Sequence, residues 1–179
     1  MKLLRTIRLD PSDTFVFERA AEPGEWAVSG AFEFWDADPA AFAGKARAAF
    51  RGGFLGIDTF GRSTLVQIVT ASAADREAAI ALLAQRLIER CGAPDLASAR
   101  AAAAEEIAFA ASVCNHDADM LIAVHRVYED GAIREAFRTL RAKGGPKPMR
   151  AFAFLEVEGE EEPPAETVDL MALGRGERK

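Results

Sequence analysis

The dipeptide Asp130-Gly131 constrains the fold of this 179-residue chain more than any other local feature. It lies between two runs rich in apolar residues, of which the first spans residues 120–128. Asp-Gly is a strong signal for a two-residue hairpin turn, because both positions of that turn need a positive φ angle. With these two residues as the loop, the opposing pairs are Tyr128 and Ile133, Arg126 and Glu135, and Val124 and Phe137. Two apolar pairs and an ion pair then share one face, so the sequence predicts a β-hairpin.

A helix over residues 132–142 is the alternative to the second strand of this hairpin. Ile133, Phe137 and Leu140 also recur at helical spacing. The three cross-strand pairs follow from the turn without having been used to choose it. We therefore favour the hairpin over the helix.

The first 70 residues predict mainly strands. Alternating apolar residues indicate a strand over residues 3–9, Phe15 and Phe17 indicate a second, and residues 26–34 indicate a third. The short connections between them predict a three-stranded antiparallel meander. Asp38 and Pro39 then begin a short helix that ends at Gly52. Residues 54–58 and 63–70 predict two further strands around a turn that contains Gly61.

Two long helices are predicted between residues 72 and 114. Ser72 and Asp75 resemble a capping box at the start of the first helix, and Gly92 ends it. Pro94 and Asp95 start the second helix, and the short link makes the two helices antiparallel. Their apolar stripes are Ile80, Ala84, Leu87 and Cys91 in the first helix, and Leu96, Ala99, Ala103, Ile107, Ala110, Ala111 and Cys114 in the second.

These elements together predict an α+β fold. We expect a single domain over residues 1–157, with a largely antiparallel β-sheet and a helical hairpin packed on one face. Its last strand is predicted at residues 151–157. Residues 158–179 are rich in Glu, Pro and Gly, so we expect an acidic, disordered C-terminal tail.

Composition excludes several classes of function. A formal net charge of −6 argues against nucleic acid and against an anionic membrane surface as partners. No run of 18 apolar residues predicts a membrane span, and the charged N-terminus does not resemble a signal peptide. Two cysteines do not make a disulfide framework. We therefore expect a cytoplasmic protein.

The segment from Cys114 to Arg150 holds the candidate chemistry. Its possible metal ligands are Cys114, His116, Asp117, Asp119 and His125. Cys114 falls on an apolar helix stripe, however, and paired Cys-x-x-Cys spacing is absent, so no metal site is predicted. Nucleophile-elbow, zinc-protease and phosphate-loop motifs are absent as well, so the sequence predicts neither catalytic residues nor a cofactor.

His125 is the main candidate for ligand binding. In the hairpin register it faces Ala136 and lies diagonal to Arg134 and Arg138. A small residue opposite an imidazole, flanked by two guanidinium groups, suits a carboxylate or phosphate. A histidine on a strand face with Leu121, Ala123 and Val127 is usually a core residue satisfied by one hydrogen bond, so the core interpretation is favoured and ligand binding is kept as the alternative.

The chain resembles small bacterial proteins to which no activity is assigned. The resemblance lies in the overall layout and in the segment His-Arg-Val-Tyr-Glu-Asp-Gly-Ala-Ile-Arg-Glu-Ala-Phe-Arg, which starts at His125. It implies no catalytic residues. We expect a non-enzymatic accessory or binding protein that acts through self-association, as a homodimer, or through a protein partner. The alternative is a binder of, or an enzyme acting on, a small anionic ligand held by His125, Arg134 and Arg138.

Overall fold

The residues that the structure describes form one antiparallel sheet of eight strands, which organises the fold. The computed structural model describes residues 1–142 and 155–157. The elements are β1 (Lys2–Ile7), α1 (Ser12–Val16), β2 (Trp26–Val28), α2 (Gly44–Gly52), β3 (Phe54–Gly56), β4 (Arg62–Ser63), β5 (Leu65–Thr70), α3 (Ala73–Cys91), α4 (Leu96–Val113), β6 (Leu121–Glu129), β7 (Ala132–Ala142) and β8 (Leu155–Val157). The strands lie in the order β4-β3-β2-β1-β5-β6-β7-β8. The predicted α+β class is confirmed.

The β6–β7 hairpin forms in the predicted register. Asp130 and Gly131 have φ angles of 53° and 77°, as a two-residue turn of this kind requires. The observed Cα partners include Tyr128 with Ile133, Arg126 with Glu135, and Val124 with Phe137. The alternative helix over residues 132–142 is therefore wrong.

The helical hairpin covers one face of the sheet, as predicted. Ser72 and Asp75 form the capping box of α3, and Gly92 ends it with a φ angle of 70°. The Asp95 side chain accepts a hydrogen bond from the Ser98 backbone N–H at the start of α4. The buried residues of the two helices pack with apolar residues of the strands: Ala79, Ile80, Leu83, Ala84, Leu87, Ala99, Ala103, Ile107 and Ala110. Phe109 of α4 also contacts the Phe137 ring of β7, which identifies the Val124–Phe137 face as the helix-covered face.

The predicted meander near the N-terminus is wrong. Phe15 lies in the short helix α1 and is 73% exposed, whereas Phe17 is 2% exposed, so the two residues do not share one side of a strand. The third predicted strand is shortened to β2 because Gly30 turns the chain with a φ angle of 71°. Residues Ala31–Phe34 then form a 3-10 helix.

Other boundaries also differ from the prediction. The helix expected after Asp38 is divided into a 3-10 helix at Pro39–Ala41 and α2, and the predicted strand over residues 63–70 is divided into β4 and β5. Leu96 and Cys91 are exposed rather than part of the apolar stripes. Of the predicted last strand, Leu155–Val157 forms β8, while residues 151–154 and the predicted tail at 158–179 lie outside the described residues.

No helix among the described residues combines the length and the apolar character that crossing a membrane requires.

Candidate functional site

The three predicted site residues lie on the open face of the β6–β7 hairpin. His125 pairs with Ala136, Arg138 with Ala123, and Arg134 with Val127, so all three side chains belong to the face opposite the helices. His125, Arg134 and Arg138 are exposed. His125 is therefore not a core histidine, and its role in ligand binding stays a prediction.

A depression of about 200 Å³ lies beside His125 and Arg138. It is lined by Ala123, Val124, His125 and Arg138. Arg134 lies toward the turn, where its guanidinium is 3.4 Å from Asp130 and 3.8 Å from Glu129. The structure thus brings His125 and Arg138 to one depression, with Arg134 beside it and held toward acidic neighbours.

The opposite face of the same hairpin contains a fully buried arginine. Arg126 is 0% exposed, and its Nε donates to Glu135 Oε1 at 2.6 Å. Its Nη1 donates to the backbone carbonyls of Phe50 and Gly53 at 3.0 and 2.9 Å. Its Nη2 donates to the carbonyl and hydroxyl oxygens of Ser29. Every guanidinium nitrogen therefore has a partner, which is what makes a buried cation tolerable.

A second buried arginine lies beside the first. Arg62 forms an ion pair with Glu33 and donates hydrogen bonds to the carbonyls of Gly30 and Gly53 at 3.3 and 3.1 Å. Burial lowers the pKa of Arg62 to about 10, although Glu33 acts in the opposite direction. The guanidinium stays charged at neutral pH. We call Arg62, Arg126, Glu33, Glu135 and Ser29 the buried arginine cluster.

Glu106 of α4 lies near this cluster. Burial, followed by the nearby Glu135 carboxylate, raises the pKa of Glu106 to about 7, while Arg126 lowers it. Glu106 therefore changes charge near neutral pH, in contrast to an ordinary glutamate.

Glu25 is a buried carboxylate with a structural role. Its oxygens accept hydrogen bonds from the backbone N–H groups of Glu22, Asp58 and Thr59 and from the Thr59 hydroxyl. These contacts connect the loop that contains Glu22 to the loop that contains Asp58 and Thr59. Because local donors surround both oxygens, Glu25 is not a candidate for binding or catalysis.

The thiols are unsuited to nucleophilic chemistry. Burial raises the pKa of Cys114 to about 11, and its thiol contacts the Ala110 carbonyl oxygen at 3.2 Å. Burial also raises the pKa of Cys91. His116 lies in the loop after α4. Within the described part of the chain, no three His, Cys, Asp or Glu residues come together as a metal site.

Sequence reasoning identified the Arg126–Glu135 pair but missed the buried arginine cluster. One signal was available, because Arg126 follows Ile122 and Val124 on a strand face that is otherwise apolar. No comparable signal identifies Arg62 or Ser29, whose partners are far away in the sequence. Arg126 and Ser29, for example, are 97 positions apart.

The fold and the site define an α+β protein with a helix-covered sheet and an open hairpin face. The model of a family of unknown function, DUF6505, matches residues 1–155. The chain belongs to this family, which confirms the expected relationship to proteins without an assigned activity. No curated protein and no solved structure matches the chain.

Proposed function

We propose that this protein is a non-enzymatic, cytoplasmic accessory or binding protein, and that the open hairpin face binds an anionic group. One observation carries the proposal: His125, Arg134 and Arg138 are exposed together on the sheet face that the helices leave uncovered. A small carboxylate or phosphate is the ligand class that fits these side chains best.

The shape of the hairpin face supports this ligand class. Ala136 lies opposite His125 and does not reach over the imidazole, so an anion can approach the ring nitrogens. Arg138 lines the same depression, and the planar guanidinium group matches the geometry of carboxylate and phosphate oxygens. The guanidinium of Arg138 beside the imidazole of His125 also places positive charge on this face in a chain of net charge −6.

The proposal of a binding role without catalysis rests on the reactive groups of the described residues. The Cys114 thiol is buried and protonated at neutral pH, because its pKa is raised to about 11. Glu106, which changes charge near neutral pH, lies on the helix-covered side of the hairpin, away from His125. The open face therefore brings together groups that bind anions, without a nucleophile beside them.

Self-association is the mode of action that we infer for this accessory role. Phe15 and Trp35 are 73% and 70% exposed, so an interface that covered them would remove large apolar side chains from water. A homodimer would cover such residues. Light scattering on the purified full chain should therefore give twice the monomer mass, and a monomer mass would remove this part of the proposal.

Thermal unfolding with added anions tests the binding proposal. Phosphate and small carboxylates should raise the melting temperature of the wild type, by about 5–10 °C at a hundredfold excess over Kd. Arg138→Ala should lose most of this rise, and Arg134→Ala should lose less because Arg134 lies beside the depression and is paired with Asp130. Arg100→Ala removes the same charge from an exposed position on α4 and should keep it.

The same thermal unfolding measurement with chloride at matched ionic strength is the control, because it distinguishes specific anion binding from general screening of charge. Equal shifts with chloride, or no shift with any anion across the panel, would refute the proposal.

An enzyme that acts on the bound anion is the second candidate. The exposed imidazole of His125 favours it, because histidine is the side chain best suited to proton transfer at neutral pH. Turnover of a phosphate or carboxylate compound that disappears in His125→Ala, with the fold intact, would favour this candidate over the binding role.

A further inference from the structure

A second concave surface lies on the other side of the hairpin. A cavity of about 460 Å³ opens between α2, the 3-10 helix at Pro39–Ala41 and the end of β6. Its polar lining includes Arg47, Arg51, Tyr128 and Glu129. The volume suits a small molecule, and the cavity is separate from the depression beside His125.

Two arginines of α2 face this cavity together. Arg47 and Arg51 are four positions apart, which places both side chains on one side of a helix. The Arg47 Nε donates to the Phe42 carbonyl at 2.9 Å, and this contact orients the guanidinium. Arg51 makes no side-chain hydrogen bond or ion pair with the residues that the structure describes. The pair therefore presents several N–H donors to the cavity.

The buried arginine cluster makes the cavity wall rigid. Arg126 of β6 donates to the carbonyls of Phe50 and Gly53, at the C-terminal end of α2. The Phe50 ring also contacts Phe34 and Phe42 at centroid distances of 5.3 and 5.7 Å. Helix α2 is thus fixed to β6, and the spacing between its arginines and Tyr128 is set before any ligand arrives. Preorganisation of this kind lowers the entropic cost of binding.

We propose that this cavity binds a small molecule with one carboxylate or phosphate group on a flat apolar body. Arg47 and Arg51 bind the anionic group, because two guanidinium groups match its oxygens. Tyr128, which is 48% exposed, and Pro39 provide the apolar surface for the flat part. Glu129 at the same cavity disfavours ligands with several negative charges, since it repels them.

Titrations of the ¹⁵N-labelled full chain with phenyl phosphate and with benzoate test this site. Backbone amide resonances of residues 44–52 and 126–129 should shift and saturate. The double variant Arg47→Gln/Arg51→Gln should bind roughly tenfold more weakly or worse, as expected for the loss of two charged donors. The variant Arg76→Gln/Arg100→Gln removes the same charge from α3 and α4 and should bind as the wild type does.

Two further probes define the ligand class. Benzyl alcohol lacks the charge and inorganic phosphate lacks the apolar body, so both should bind more weakly than phenyl phosphate. Both arginines are exposed, so their replacement should leave the fold intact, and the spectra report whether each variant folds. If the double variant does not fold, the single variant Arg51→Gln replaces it in the titrations.

Three results would overturn the proposal: no saturable shift with either aromatic anion, equal affinity in the double variant, or shifts confined to residues 134–138. The last result would assign the anion to the hairpin face of the proposed function instead. Saturable shifts at residues 44–52 would support this site, whether or not residues 134–138 shift as well.

Discussion

Arg126 shows how one residue links distant parts of the chain. Its guanidinium contacts residues of β7, of α2 and of the loop after β2. Removal of one partner from a buried ion pair typically costs about 3–5 kcal/mol, because the other charge stays behind without compensation. Arg126 therefore stabilises the fold and also sets the geometry of the cavity beside α2.

Gly30 is the residue whose replacement should show how tightly the buried arginine cluster is packed. Its φ angle is +71°, and a Cβ there would lie 2.5 Å from Leu55 Cβ and 2.9 Å from Arg62 Nη1. Gly30→Ala should lower the free energy of unfolding by about 2–4 kcal/mol, since backbone strain and overpacking add. Urea denaturation measures this loss.

Gly131→Ala is the matched control for that measurement. Its φ angle is +77°, but nothing lies within 4 Å of the added Cβ. Only backbone strain remains, so Gly131→Ala should lower the free energy of unfolding by about 1 kcal/mol. Equal losses in the two variants would show that the close approach at Gly30 contributes nothing.

The sequence predicts the Arg126–Glu135 contact but not the burial of Arg126. The contact is local, because the Asp130-Gly131 turn and the two-residue period of the strands determine it. Burial depends on α2 and Ser29, which lie more than 70 positions away. No pattern within a short window encodes such contacts, so Arg62 and Glu33 could not be assigned to the cluster, and Glu106 could not be placed near it.

At the scale of elements, the predictions succeed where residues close together in the sequence determine where an element begins and ends. The capping box at Ser72 and the glycine at 92 define α3 within one residue of the expected bounds. The predictions fail at α1, because the spacing of Phe15 and Phe17 resembles the alternation of a strand over only three residues. The Asp13 carboxylate accepts hydrogen bonds from the backbone N–H and hydroxyl of Thr64, so a tertiary contact holds this short helix.

The packing of α4 against the buried arginine cluster predicts a pH effect. The pKa of Glu106 in the folded state is about 7, above its ordinary value of 4.5. The folded state binds the proton more tightly between these values, so stability should fall as the pH rises from about 4.5 to about 7. Glu106→Gln removes this loss and should be about 1–2 kcal/mol more stable than the wild type at pH 8, after allowance for partial exposure.

Urea denaturation at several pH values between 4 and 8 measures this effect. Glu105→Gln is the control, because Glu105 precedes Glu106 on α4 but is exposed. Its stability should follow the pH profile of the wild type. If both variants changed the profile equally, or neither did, the account of Glu106 would be wrong.

At the scale of the whole molecule, the two faces of the sheet have different roles. The helix-covered face holds the apolar core and the buried arginine cluster, whereas the β6–β7 hairpin keeps its other face open with His125, Arg134 and Arg138. The register predicted from the sequence places these three residues on one face, but it left open whether that face is exposed or part of the core. Which face the helices cover follows from packing and could not be predicted from the hairpin alone.

The central claim is that the open hairpin face binds an anion, and the two histidines allow a direct test. Both are exposed, and only His125 belongs to the proposed site. Titration of the full chain with inorganic phosphate, followed by the imidazole proton resonances, should shift His125 saturably and leave His116 nearly unchanged. Arg138→Ala should reduce the His125 response. Equal movement of both histidines, or a stationary His125, would contradict the claim.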